Sequence, residues 1–371
     1  MQLKKIHLLI IFLVLLTCKE KVNINEIKLN NGKEVQLKYA KGFNVTDFGL
    51  YKTIKITNPW PDAKKSFEYT LSNSKNKADI ITPIAKIVVT STTHIPALEL
   101  LGVENTLIGF PGIDYISSKR TRLRIDRGLV RELGKNEGIN TEVLLALKPD
   151  VVIGFGVDGT NKTFEAIQKA GIPVIYNGDW VEASALAKAE WIKFFGALYN
   201  KEKAADSIFK SIERNYLESK KLATKAKSRP SVLCGAMHKD VWYLPNGGSP
   251  EAQFLRDANV NYLWNETSGN GSLALSFETV LDKAKDAKLW LSPSYYPSLE
   301  AIKKANQHYT KFEAFQNKNV YSFSNVTGET GGVLYYELGT ARPDLVLKDI
   351  IKICHPELLQ NYFPHFFKKL D

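Results

Sequence analysis

Aromatic side chains recur in short polar segments that follow apolar runs: Tyr115 after Gly109-Phe-Pro-Gly112, Phe155, Trp180, the pair Trp242-Tyr243, Tyr295-Tyr296 and Tyr335-Tyr336. Flat π faces stack on macrocycles and aromatic chelates, and rigid rings lose little entropy on binding. His94 and His238 each stand just beyond an apolar run, and two imidazoles can ligate a haem iron or one metal ion. Ordinary hydrogen bonding at a loop or helix start is the plainer role for both. A dedicated zinc or manganese site needs further ligands, and Glu329 is the one nearby acidic candidate, so no resident metal or cofactor is expected. Arg120, with Lys119, Arg122, Arg124 and Arg127, forms a basic run able to pair bidentately with carboxylate or catecholate groups. The same run, alternating with Thr, Leu and Ile, also fits a solvated face, and it matches no nucleic-acid module.

Hydrolytic chemistry lacks its signatures. The sequence has no G-x-S-x-G elbow and no H-E-x-x-H pair, and six histidines offer few bases, so catalysis is not indicated. Gly154-Phe-Gly-Val-Asp-Gly159 spells G-x-G-x-x-G between a strand and a helix, and Asp179 follows twenty residues after its last glycine. That spacing raises an enzyme using a dinucleotide as one alternative. A structural envelope protein with its cleft filled by side chains is another. The three cysteines include no C-x-x-C pair, and Cys234 and Cys354, each in an apolar element, read as buried free thiols.

These residues need a scaffold, and 371 residues suffice for two domains with real cores. A 44% hydrophobic and 24% charged composition excludes a disordered or polytopic membrane chain, while a net charge of +11 permits an anionic partner without specifying one. Lys4 and Lys5 precede the apolar run Leu8 to Leu16, too short for a bilayer of about 30 Å, so residues 1–17 read as a signal peptide. The run ends in Leu15-Leu16-Thr17-Cys18, which resembles the lipobox of bacterial lipoproteins, with Thr17 departing from the usual Gly, Ala or Ser. The resemblance implies acylation at Cys18 and a mature chain anchored in a bacterial envelope, on the periplasmic side, away from NAD and ATP. Residues 18–82 alternate polar and apolar side chains as short strands do. Residues 83–183 and 228–371 switch to fully apolar strands separated by helices, the texture of parallel sheets covered on both faces. Residues 184–227 between them are helical, with Ala205, Ile208, Phe209, Ile212 and Tyr216 marking one stripe of a stiff spine. The expected class is α/β: two Rossmann-like lobes joined by a long rigid helix, with an N-terminal β extension. The halves echo each other, since Glu142 and Asp150 are spaced like Glu278 and Asp286 ahead of an apolar strand. Ligands of such sheets bind beyond the carboxyl ends of the strands.

Over residues 83–360 the chain resembles the substrate-binding proteins of ABC importers for ferric siderophores, haem and cobalamin. The resemblance rests on Lys86-Ile-Val-Val with Glu99-Leu-Leu-Gly102-Val, on Thr141-Glu-Val-Leu-Leu-Ala-Leu-Lys-Pro-Asp-Val-Val-Ile153, on Ala170-Gly-Ile-Pro-Val174, and on Arg342-Pro-Asp-Leu-Val. It implies a monomeric receptor, not an enzyme, that captures a ferric siderophore or related iron complex and delivers it to an inner-membrane permease. Haem and cobalamin are its alternative ligands. Gly134 to Gly138 stands where family members that hold cobalamin place an aromatic. The resemblance also makes Glu142 and Glu278 the acidic residues that dock onto permease arginines; offsetting a helix dipole, worth about 0.3–1 kcal/mol, is a role either can hold as well.

Overall fold

A computed structural model describes residues 32–74, 78–136, 138–157, 159 and 161–371. The signal segment, Cys18, Asp158 and Thr160 lie outside the described residues. The N-terminal extension is a five-stranded sheet, antiparallel from Lys33–Glu34 through Phe43–Asp47 and Lys52–Ile56 to Phe67–Ser72, with Ile80–Ile81 added in parallel. Alternation along these strands sends Phe43, Val45, Ile54, Ile56 and Leu71 inward. They share one core with the first lobe; Phe43 meets Trp191 at 4.5 Å between ring centroids. The carboxylate of Glu190, fully buried, accepts the backbone N–H groups of Lys38, Tyr39 and Ala40 at 2.7–3.0 Å and pairs with Lys193 at 2.9 Å. Breaking such a buried network costs about 3–5 kcal/mol, which makes Glu190 the rivet between extension and lobe.

The first lobe holds five parallel strands in the spatial order Val174–Tyr176, Val151–Gly154, Ile87–Val89, Leu107–Phe110, Arg131–Glu132. The second holds Asn261–Tyr262, Ser231–Cys234, Leu289–Leu291 and Val320–Ser322 in parallel, closed by antiparallel Lys368–Lys369. Both lobes are doubly wound, but their strand orders differ: by chain order within each lobe they run 5-4-1-2-3 and 2-1-3-4-5. The lobes are therefore not copies of one another, despite the echoed spacing.

The segment Leu147-Lys-Pro-Asp150 links a helix to the strand that follows it. Asn140 caps the helix Thr141–Leu147 by accepting from Val143 N–H, Lys148 ends it in a left-handed turn (φ 49°), and Pro149 prevents continuation. Asp150 then accepts the N–H groups of Ala85 and Lys86, both at 2.8 Å, and so fixes the start of the neighbouring strand Ile87–Val89.

The spine is the helix Glu202–Ala223, about 33 Å long at ~1.5 Å per residue. Its stripe of Ala205, Phe209, Ile212, Tyr216 and Ala223 is buried against Ile192–Leu198 on the first-lobe side and Pro343–Cys354 on the other. Tyr216 donates to Asp257 of the second lobe at 2.6 Å. Cys234 and Cys354 are buried free thiols.

Candidate functional site

Each sheet has a point where neighbouring strands lead their connections away in opposite directions, and a crevice opens there at the carboxyl ends. In the first lobe it lies between Ile87–Val89 and Val151–Gly154, whose continuations are Thr90-Ser-Thr92 and Phe155. In the second it lies between Ser231–Cys234 and Leu289–Leu291, the latter leading to Tyr295. These loops face one cavity of about 410 Å³. Thr90, Ser91, Thr92, Phe110, Tyr115, Asn136 and Phe155 form its first-lobe wall, and Tyr295, Gly331, Gly332, Val333 and Tyr336 its second-lobe wall. Tyr295 is raised from its sheet by a tight turn in which Ser292 and Ser294 both adopt left-handed backbone, φ 58° and 63°. Such conformations cost about 1–3 kcal/mol each and concentrate at functional sites. The Tyr295 hydroxyl donates to that of Tyr336 at 3.2 Å.

Among the described residues no side chain lining this cavity is charged. Polarity comes from hydroxyls and one amide, and two of these atoms are buried without a partner among the described residues: Thr90 Oγ1 and Asn136 Oδ1. Thr90 is 1% exposed. Buried polar atoms are normally satisfied, and a ligand in the cavity can satisfy these. Burial, and then the bond from Tyr295, push the Tyr336 hydroxyl above its ordinary range, so it remains a neutral phenol.

A clasp from the second lobe closes one side. Glu337, on the cleft helix Leu334–Ala341, accepts the N–H groups of Ser117 and Ser118 at 2.6 and 2.9 Å, and the Thr330 hydroxyl donates to Asp114 O at 2.7 Å. The backbones approach so closely that a Cβ on Gly332 would stand 2.2 Å from Tyr115 O, a spacing only glycine permits. The cleft helix also packs on Thr92–His94 and Ile95–Leu100 of the first lobe. Spine and clasp together tie the lobes at two places.

Of the residues singled out in the sequence, Tyr115, Phe155 and Tyr295 meet in this cavity, while Trp180 and Tyr335 line a second one beside it. Trp242 is fully buried: the hairpin register turns it inward, its indole N–H donates to Cys234 O at 2.9 Å, and it stacks on Trp290. Its neighbour Tyr243 points outward, 45% exposed, and lines neither cavity. His94 is fully buried against Phe195, whereas His238 is exposed on the hairpin strand Ala236–His238; the two do not face each other across the cleft. Arg120 stands outside both cavities, paired with Glu104 and donating to Glu99 O. Arg122 and Arg124 are likewise spent on the loops beneath them, bonding Ile113 O, and Asn105 O and Leu107 O. Thr90 and Asn136 went unmarked in the sequence; the position of Thr90 directly after an apolar strand was the signal for it. Among the described residues no three His, Cys, Asp or Glu side chains gather as a metal site.

Glu142 and Glu278 are exposed second residues of capped helices, Thr141–Leu147 and Phe277–Ala284. Each helix turns tightly into a parallel strand and so runs antiparallel to it, which places both N-termini at the carboxyl ends of the sheets, on the cleft side. Of the G-x-G-x-x-G segment, Gly154 ends a strand, Phe155 lines the cavity and Asn161 caps the next helix, Lys162–Lys169. Asp179 is buried and accepts from the Thr93 hydroxyl. Among the described residues no helix is long and apolar enough to cross a membrane.

The comparisons with known proteins bear on this geometry. A family model described as periplasmic binding protein matches residues 87–327. An uncharacterized lipoprotein of Methanocaldococcus jannaschii is 27% identical, over 94% of this chain and 92% of its own length. A periplasmic haem-binding protein from Pseudomonas aeruginosa superposes with a TM-score of 0.58 at 15% identity, covering 78% of this chain and 98% of its own. An ABC-type Fe3+-hydroxamate transport protein from Saccharomonospora viridis gives a TM-score of 0.53 at 18% identity, covering 73% and 93%.

Proposed function

The chain belongs to the periplasmic binding protein family, and on that premise we propose that it is a lipid-anchored envelope receptor holding a ferric chelate with an uncharged iron core for an ABC permease. Members of this family bind solutes for import and do not transform them, so the dinucleotide-enzyme alternative falls. The observation that carries the choice of cargo is the cavity wall, aromatic and hydroxylic with no charged side chain among the described residues. A ferric ion bound by three hydroxamates has no net charge and presents a compact body with apolar flanks and carbonyl and N–O oxygens. Such a body suits Phe110, Tyr115, Phe155, Tyr295 and Tyr336, with the Thr90 hydroxyl available as a donor. A ferric tris-catecholate carries several negative charges and needs cations, and Arg120, Arg122 and Arg124 are engaged elsewhere. A related structure binds haem, which makes haem the second ligand to try.

Anchoring through Cys18 accords with the lipoprotein relative. Glu142 and Glu278, both exposed on the cleft side, supply one acidic contact per lobe for the permease.

Titration of the mature protein with ferrichrome, a neutral ferric trihydroxamate, is expected to quench tryptophan emission with a Kd at or below the micromolar range. A ferric tris-catecholate should bind at least tenfold more weakly. Silence toward ferrichrome, or tighter binding of the catecholate, would remove the neutral-chelate reading; quenching by haemin alone would replace it with haem.

A further inference from the structure

Behind the cleft helix lies a second cavity of about 270 Å³. Tyr336 is common to both walls, so the two cavities adjoin across one ring. Their chemistry differs. Rings of Trp180, Phe254, Tyr335 and Tyr336 surround the second space, and the carboxylate of Glu251 borders it from the first turn of the helix Pro250–Asp257. Among the described residues Glu251 has no salt bridge and no side-chain hydrogen bond. Its charge nevertheless reaches the ring wall, since burial, and after it Glu251, push the Tyr335 hydroxyl above its ordinary range.

One cation, Lys188, also lines this space. It borders as well a cavity of about 20 Å³, room for a single water, together with the buried carboxylate of Asp179. Within the lining of the second cavity Glu251 and Lys188 balance, and the Asp179 carboxylate, which lines only the smaller space, adds a negative charge behind Lys188. Aromatic faces around a carboxylate are the surroundings that an organic ammonium group seeks, because ring quadrupoles and the carboxylate attract the cation while the rings hold its apolar stem.

We propose that the second cavity is a subsite for an alkylammonium arm of the cargo, held by Glu251 and the rings of Trp180, Phe254 and Tyr335 while the body of the cargo occupies the first cavity. The assignment of the body rests on the cargo reading above; the subsite itself does not. Cation–π contact in a partly exposed cage, with Trp180 37% and Tyr336 45% exposed, favours the free ammonium over its acylated form by about threefold. Ferrioxamine B, a ferric trihydroxamate with a terminal ammonium, should accordingly bind about threefold tighter than its N-acetyl derivative.

The test is made on the full mature chain carrying 5-fluorotryptophan, with the Trp180 resonance assigned by Trp180→Phe. Butylammonium chloride should shift that 19F resonance in a saturable way, potassium butyrate should not, and Glu251→Gln should abolish the shift. A Trp180 signal that butylammonium leaves unmoved, or that still responds in Glu251→Gln, overturns the subsite. A Trp180 response with neither chelate binding supports the subsite and overturns only the hydroxamate reading. Chelate binding with a silent Trp180 does the reverse.

Discussion

Glu337 sets a carboxyl group at the contact between the lobes, where burial raises its pKa from 4.5 to about 7; its bonds from Ser117 and Ser118 oppose the rise and Glu99 adds to it. A pKa higher in the folded than in the unfolded chain means that folding favours the protonated form. The stability contributed in this way is fully present below about pH 4.5 and is lost as pH rises through 7. The expected loss is about 3 kcal/mol at most. His94 acts with the opposite sign. Burial lowers its pKa, the Asp179 charge offsets this in part, and neither ring nitrogen has a partner among the described residues. Protonation of the unfolded chain therefore removes stability as pH falls through about 6.5. Urea unfolding at pH 5 and pH 7.5 separates the two: Glu337→Gln should lose the decline toward high pH and expose the decline toward low pH. An unaltered pH slope in that variant would contradict the account of Glu337. The sequence marked Glu337 in no way, because a glutamate beside two tyrosines takes its character from the backbone N–H groups that another lobe brings to it.

At the scale of elements, the two acidic helix starts were legible because capping and periodicity are local. Asn140 and Ser276 each accept the N–H three residues on, and a glutamate two positions after the cap faces solvent. The aromatic hairpin was not legible to the same degree. Period-2 alternation requires Trp242 and Tyr243 to face opposite ways, but only the pairing with Ser272–Leu275 decides which of them enters the core. Glu142→Ala and Glu278→Ala should each lower chelate uptake by cells, and the double variant should nearly abolish it. Each should cost no more than about 1 kcal/mol of stability, since the helix dipole accounts for no more. Full uptake by the double variant would leave the dipole as the only role.

On the scale of the whole molecule, the spine and the Glu337 clasp join the lobes at separate places, so large opening of the cleft would have to break one of them. Cargo then enters a largely preformed site, and affinity follows from the shape of its walls. The N-terminal sheet is part of that rigidity, sharing its core with the first lobe. On the proposed anchoring through Cys18, the body stays at the membrane. Cys18→Ser should move the chain from the membrane fraction to the soluble fraction on ultracentrifugation, with chelate affinity in solution unchanged; retention in the membrane would show that another feature anchors it.

Local rules within the sequence determined the apolar strands, the helix caps, the spine stripe and the presence of aromatics on loops, since each depends on neighbours within a few residues. The different strand orders of the two lobes, the burial of Trp242 and His94, the engagement of Arg120 by Glu104 and the convergence of Thr90, Asn136 and Tyr336 were decided by the tertiary structure alone. These depend on which segments, distant in the chain, are brought side by side, and on which polar atoms remain unpaired once they are.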